Sequence, residues 1–178
     1  YFNSLAGSVA IKPKVFILDV DGVMTTGHFI YSKKGKEYKI FGPDDADALN
    51  ILKKFIEIRF ITADKRGLPV SKKRIVNDMG FKLDLVNSYE RLEWISRKYN
   101  LDDVIFMGDG LLDFIVMEKI GLSIAPANAE FYTKKCASFI TKNSGGNRAV
   151  AEACLYILQK YLNINTQVKF KSLIKYKI

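Results

Sequence analysis

The sequence predicts an α/β fold: a three-layer, Rossmann-like parallel sheet flanked by helices, with a β-hairpin inserted after the first strand. Three observations predict it. Six short apolar runs alternate with stretches of helical periodicity. The interiors of those runs are nearly all apolar, as in strands covered on both faces. Strand–helix alternation is the pattern of parallel strands joined by crossover helices. Right-handed crossovers then bring the C-terminal ends of the strands to one edge, where such sheets bind ligands. The 178 residues suit a single domain, 1–178, with a core over 14–162.

The strand runs are 15–20, 58–62, 83–86, 104–107, 122–125 and 138–141. Between the first two, Ala48, Leu49, Leu52, Phe55 and Ile56 recur as one buried helical face. Further helical segments are expected at 68–79, 88–99, 111–119, 129–136 and 147–162. The insertion consists of strands 28–32 and 37–41 around the turn Lys33-Lys34-Gly35-Lys36. After the core, residues 163–178 form a basic tail with four lysines and no acid.

Composition excludes several classes. Apolar residues are 48% and charged residues 26%, which excludes wholesale disorder. No charge-free apolar stretch approaches the ~18 residues of a membrane helix, so no membrane partner is expected. Cys136 and Cys154 are too few for a disulfide framework and lack metal-ligand spacing, so both are expected as buried thiols. With no signal-like pattern at its start, the chain is expected in the reducing cytoplasm. It opens on Tyr1, so the first residues are open to trimming or addition. The net charge of +9 is scattered over helices, and no groove-reading motif accompanies it. A solvated surface is therefore expected, not a nucleic-acid partner.

The chemistry sits at the strand ends. The first strand runs into Asp19-Val20-Asp21-Gly22, and side chains at i and i+2 of a strand share a face. Two like charges side by side need a cation or a shared proton. An EF-hand is excluded, because Val23 and Ile30 stand where the loop needs oxygen ligands at positions five and twelve. The second strand ends at Thr62, and the fourth in Gly108-Asp109-Gly110 with Asp113 a helical turn on. If the sheet is wound as above, Asp19, Asp21, Thr62 and Asp109 converge and suit Mg²⁺. Gly108-Asp109-Gly110 is a poor dinucleotide cradle, since Asp113 replaces the third glycine and would repel a pyrophosphate. Ser144-Gly145-Gly146 before the last helix is either an anion site or a turn, the turn being favoured.

Together, Asp19-Val20-Asp21-Gly22-Val23, Thr62, and Gly108-Asp109 with Asp113 resemble motifs of the haloacid dehalogenase-like phosphohydrolases. Thr25, the hairpin, residues 116–127, and Gly145-Gly146 with Ala149-Val150 are similar to the 3-deoxy-manno-octulosonate 8-phosphate phosphatase group. Spacing adds independent support for a capless form. Only 40 residues separate Asp21 from Thr62, and 46 separate Thr62 from Asp109, which the expected elements consume. The resemblance implies a Mg²⁺-dependent phosphatase acting on a phosphorylated acidic sugar, and a homotetramer in which hairpins associate and subunits cover one another's sites.

The resemblance also assigns roles. Asp19 is the nucleophile and Asp21 the acid and base. Mg²⁺ is held by Asp19, the backbone carbonyl of Asp21, and Asp109, with Asp113 supporting. Thr62 binds the transferring phosphoryl group. Three places depart from the pattern. Arg91 stands where a lysine is usual, and its fork binds oxyanions differently from a point charge. Thr62-Ala63-Asp64-Lys65-Arg66 replaces Thr-Gly-Arg, leaving Arg66 to bind substrate. Asp44 replaces an arginine ahead of Asp45. A surface role for Arg91, and a catalytically idle domain that only organises an oligomer, are the alternatives. His28 is expected at the hairpin edge and Trp94 in helix packing.

Overall fold

A computed structural model describes residues 12–164. The basic tail from residue 165 onward lies outside them. β1 (Val15–Asp19) is buried along its whole length. The hairpin follows as β2 (Thr25–Ser32) and β3 (Gly35–Phe41), then α1 (Asp45–Leu52) and β4 (Glu57–Thr62). α2 (Leu68–Lys72) continues in wider i→i+5 turns over Lys73–Asp78, and leads to β5 (Lys82–Leu85) and α3 (Arg91–Ser96). The second half alternates β6 (Val104–Met107), α4 (Phe114–Met117), β7 (Leu122–Ala125), α5 (Phe131–Cys136), β8 (Phe139–Ile140) and α6 (Ala149–Lys160).

Six strands form one parallel sheet in the order β5-β4-β1-β6-β7-β8, and the hairpin stands apart from it. Alternation along the central strands divides the core in two. Phe16 and Leu18 face a cluster with Leu49, Leu52, Phe60, Ile75 and Ile157. Val15 and Ile17 face another with Ile61, Ile95, Phe106 and Val116. The chain builds outward from β1 through β4 to β5, then crosses back to lay β6 on the other side of β1. This reversal opens a crevice at the C-terminal end of β1, the place where open α/β sheets take ligands.

All six strand runs are present and parallel, and between β1 and β4 or β4 and β6 the described residues hold no lid domain. Four local expectations need correction. The first helix ends at Leu52, so Phe55 leaves the apolar stripe and is exposed while Ile56 stays buried. The segment expected over 111–119 is helical only at Phe114–Met117, and i→i+3 turns such as Asp113 N–H to Gly110 O and Lys119 N–H to Val116 O flank it. The last helix starts at Ala149, since Arg148 adopts a left-handed φ of 69°. Cys154 is buried, but Cys136, at the end of α5, is partly exposed with its Sγ 3.7 Å from Glu118.

Asp45 joins the two helices on one face of the sheet. Its side chain is buried and accepts the Ala151 N–H of the first turn of α6 at 2.8 Å. Its neighbour Asp44 pairs with Arg148 Nε at 2.5 Å. Burial, with Asp44 adding to it, pushes the Asp45 carboxyl up to about 6 against the pull of the α6 amides and Arg148. The raised value means that the folded state favours the proton. The stabilisation is complete below the ordinary 3.8 and is lost as pH rises through about 6. At neutral pH the ionised carboxylate therefore costs on the order of 2 kcal/mol. Asp45→Asn keeps an acceptor for Ala151 and should raise the melting temperature at pH 8 more than at pH 5. Equal shifts in thermal melts at the two pH values would contradict this account.

Candidate active site

β1 delivers Asp19 to the crevice. The carboxylate is 6% exposed, its Oδ1 accepting the Val20 N–H at 2.7 Å and its Oδ2 an N–H of Arg91 at 2.9 Å. Arg91 enters from the first residue of α3, and the same guanidinium nitrogen donates to Asp113 Oδ1. Asp113 in turn accepts the Gly110 N–H at 2.9 Å, fixing the loop that carries Asp109. Ligand-capable oxygens of Asp19, Asp109 and Asp113 all lie within 4.8 Å of one another.

Backbone contacts impose this convergence. Gly22 has φ 84°, and a Cβ on it would fall 1.8 Å from Asp109 Oδ2, so the Asp109 carboxylate lies directly on the β1–β2 loop. Buried Thr25 holds that loop by accepting the Gly22 and Gly27 N–H groups at 3.2 Å each. A Cβ on Gly145 would fall 1.7 Å from the Gly22 carbonyl oxygen. The glycine pair before α6 is thus a turn pressed against the loop, in agreement with the favoured expectation. Behind Asp109, its carbonyl accepts the Glu130 N–H at 2.9 Å, and Thr133 Oγ1 donates to Gly110 O at 2.6 Å.

The electrostatics are those of an incompletely neutralised acidic cluster. Burial, then Asp19 and Asp113, push the Asp109 carboxyl up to about 8. Burial also raises Asp19, opposed by Arg91 and aided by Asp113. Burial pulls Arg91 down, but Asp19 and Asp113 outweigh it and hold the guanidinium above its ordinary range. One fixed cation thus faces three carboxylates. Clustered carboxylate oxygens are the donors that hard divalent cations take, and the set fits Mg²⁺.

Asp21, expected to converge with Asp19 and Asp109, is not one of the three grouped carboxylates, although it feels the charge of Asp19 and adds its own to Asp109. Its carboxylate meets the Lys39 ammonium at 2.8 Å. Lys39 comes from β3, its side chain fully buried, and also reaches Asp64 Oδ2 at 2.9 Å and Ser71 Oγ at 2.9 Å. Lys36 adds a second ammonium 2.6 Å from Asp64. Burial raises the Asp64 carboxyl, but the two lysines and the Gly67 N–H more than offset it and bring it down to about 2. Burial likewise raises Asp21, opposed by Lys39. Sequence reasoning missed Lys36, Lys39, Asp64 and Ser71. Lysines on a two-stranded ribbon ordinarily protect an exposed edge, so nothing in their spacing signals burial.

The other expected residues are placed as follows. Thr62 is buried at the end of β4, its Oγ1 accepting the Asp64 N–H at 3.1 Å. Arg66 is exposed and has no ion pair among the described residues. His28 is exposed on the hairpin. Trp94 is half-buried against the second core cluster, with Lys98 5.0 Å from its ring centroid.

Comparison with known proteins agrees with this geometry. Residues 26–153 match the family model of haloacid dehalogenase-like hydrolases. The chain is 32% identical over 155 residues to the 3-deoxy-D-manno-octulosonate 8-phosphate phosphatase KdsC of Salmonella typhi, covering 82% of this chain and 79% of that one. It is 30% identical over 156 residues to KdsC of Yersinia pestis, covering 84% and 81%. Among solved structures, the Moraxella catarrhalis 3-deoxy-D-manno-octulosonate 8-phosphate phosphatase, in complex with magnesium, phosphate and KDO, superposes with a TM-score of 0.76. That pair is 26% identical, with 90% of this chain and 94% of that chain covered. A probable yrbi family phosphatase of Pseudomonas syringae gives 0.77 at 26% identity, covering 89% and 92%. A parallel sheet with no lid domain among the described residues, three converging aspartates and these likenesses lead to one assignment: the chain belongs to the haloacid dehalogenase-like hydrolases, in the capless KdsC-like group of phosphatases.

Proposed function

We propose that this phosphatase is a Mg²⁺-dependent phosphomonoesterase that works through an aspartyl-phosphate on Asp19. Its substrate is a phosphorylated acidic sugar of the 3-deoxy-octulosonate 8-phosphate or nonulosonate 9-phosphate type. The observation that carries this reading is the meeting of Asp19 with Asp109 and Asp113, their ligand atoms within 4.8 Å of one another. Asp19, Asp109 and the backbone carbonyl of Asp21 would hold the ion, with Asp113 behind them. Bound there, Mg²⁺ supplies charge neutralisation to the phosphoryl oxygens.

The chain's own groups do the rest. Asp19 is held by Val20 and Arg91, and a free carboxylate lone pair attacks phosphorus. The bond from phosphorus to the sugar oxygen breaks, and Asp21 gives that oxygen its proton. Asp21 then takes a proton from the water that cleaves the acyl phosphate. Thr62 and Arg91 border the phosphoryl position. A pocket of about 420 Å³ is lined in part by Lys65, Asn87, Ser88, and Ala63 and Leu112, the chain neighbours of Thr62 and Asp113. Lys65, with Arg66 next to it, gives an acidic sugar a cationic entrance.

The hairpin supports the homotetramer. Phe29, Ile30, Tyr31, Tyr38 and Ile40 are all at least 41% exposed, an apolar surface on the hairpin that follows the Asp21 loop. Such a patch marks an association surface, and a neighbouring hairpin would replace the missing lid and exclude water. The reading places the enzyme in the cytoplasm; among the described residues no helix is long and apolar enough to cross a membrane.

Asp19→Asn should abolish phosphate release from eight- and nine-carbon keto-acid phosphates while leaving the thermal melt within a few degrees of wild type. Retained turnover would refute the nucleophile. Chelation of divalent metal should stop the wild-type enzyme, and added Mg²⁺ should restore it. Undiminished activity in EDTA would remove the metal from the reading. Ile40→Glu should shift the sedimentation coefficient from tetramer toward monomer, and a wild-type chain that sediments as a monomer would dispose of hairpin association.

A further inference from the structure

Lys39 is the most completely enclosed cation described in the chain, and its chemistry is unusual for its place. A lysine on a two-stranded ribbon has water within reach, and burying it forfeits rotamer freedom as well as hydration. Here the ammonium is sealed under the hairpin with three acceptors for its three N–H donors. One is the Asp21 carboxylate at 2.8 Å, one Asp64 Oδ2 at 2.9 Å, and one Ser71 Oγ at 2.9 Å. These come from three separate pieces of chain, the β1–β2 loop, the β4–α2 loop and α2, so the ammonium is fixed from three sides. Asp64 is itself fixed, because Lys36 pairs with it at 2.6 Å and the Gly67 N–H donates to it at 3.0 Å.

The consequence falls on Asp21. Asp19, Asp109 and Asp113 form one cluster, and Asp21, two residues from Asp19, is the carboxylate left out of it. A flexible aspartate beside a divalent cation would be drawn in as a ligand and lost to proton transfer. Lys39, the one ammonium in contact with Asp21 among the described residues, holds it away. We propose that Lys39 is a positioning residue that keeps the Asp21 carboxyl out of the cation cluster and aimed at the leaving-group oxygen. This rests on Asp21 being the acid and base of the proposed reaction. In that step the Asp21 O–H bond breaks and its proton goes to the sugar oxygen. The phosphorus–oxygen bond breaks at the same time, and the Asp19–phosphorus bond forms.

Leaving groups separate this role from a merely structural one. A sugar hydroxyl needs the proton, whereas p-nitrophenolate departs as an anion. The experiment measures kcat/KM for a sugar phosphate and for p-nitrophenyl phosphate, with Mg²⁺, in wild type, Lys39→Met and Lys39→Arg. The value reports the steps through phosphoryl transfer to Asp19. The sugar-to-aryl ratio should fall roughly 10–100-fold in Lys39→Met, up to the lower limit of general-acid effects because the acid is misplaced and not removed, and recover in part in Lys39→Arg. Equal losses on both esters, or no loss in a folded Lys39→Met, overturn the proposal. Should Lys39→Met fail to fold, Ser71→Ala removes one anchor without stranding a charge. It should lower the ratio several-fold, and an unchanged ratio counts against the proposal. A wild-type chain inactive on both esters, or an active Asp19→Asn, defeats the underlying reading of the site, and the proposal with it.

Discussion

Three carboxylates held against a single guanidinium are the constraint around which this molecule is organised. Left alone, Asp19, Asp109 and Asp113 repel one another in a place that water barely reaches, and burial raises both Asp19 and Asp109. Arg91 bridges two of the three and cannot balance the set. The strain is tolerable only because the surrounding backbone leaves the side chains no alternative. Gly22 receives the Asp109 carboxylate against its bare α-carbon, Gly145 closes on Gly22, and Gly110 is tied to Asp113. A small cation with a preference for oxygen completes such a design.

The sheet explains why these groups can meet at all. Asp19 and Asp109 are 90 residues apart in the chain but end neighbouring strands, because the order reverses about β1. The two apolar clusters, one on each face, clamp those strands, so the reactive edge rests on the most buried part of the protein. The hairpin lies outside this frame. It contributes no strand to the sheet, presents aromatic side chains outward and sends two lysines, Lys36 and Lys39, inward.

What the sequence reveals follows from this division. The strands were legible because Val15–Asp19, Val104–Met107 and Leu122–Ala125 are buried on both faces and, Asp19 and Ser123 apart, apolar. Asp19 and Asp109 were legible because strand ends in a parallel sheet share an edge. Arg91 could be aligned, but its simultaneous hold on Asp19 and Asp113 is a tertiary fact that one-dimensional spacing does not carry. Phe55 misled because the chain tightens into i→i+3 turns after Leu52, which takes Phe55 off the buried face, and nothing in composition marks the change. Lys39 was invisible for a deeper reason. Its burial depends on acceptors from three distant segments, and each looks like an ordinary surface residue in isolation.

The hairpin's separateness has a bearing on durability. A two-stranded ribbon is marginally stable by itself in water and this one leans on its lysine anchors and, in the proposed tetramer, on a neighbouring hairpin, whereas the six-stranded slab beside it is locked by its two apolar layers. Warming should therefore fray the ribbon first, withdrawing the Lys39 ammonium while the slab stays intact. Loss of turnover on heating would then precede the cooperative melt, and the working ceiling of this enzyme would be set by its smallest element.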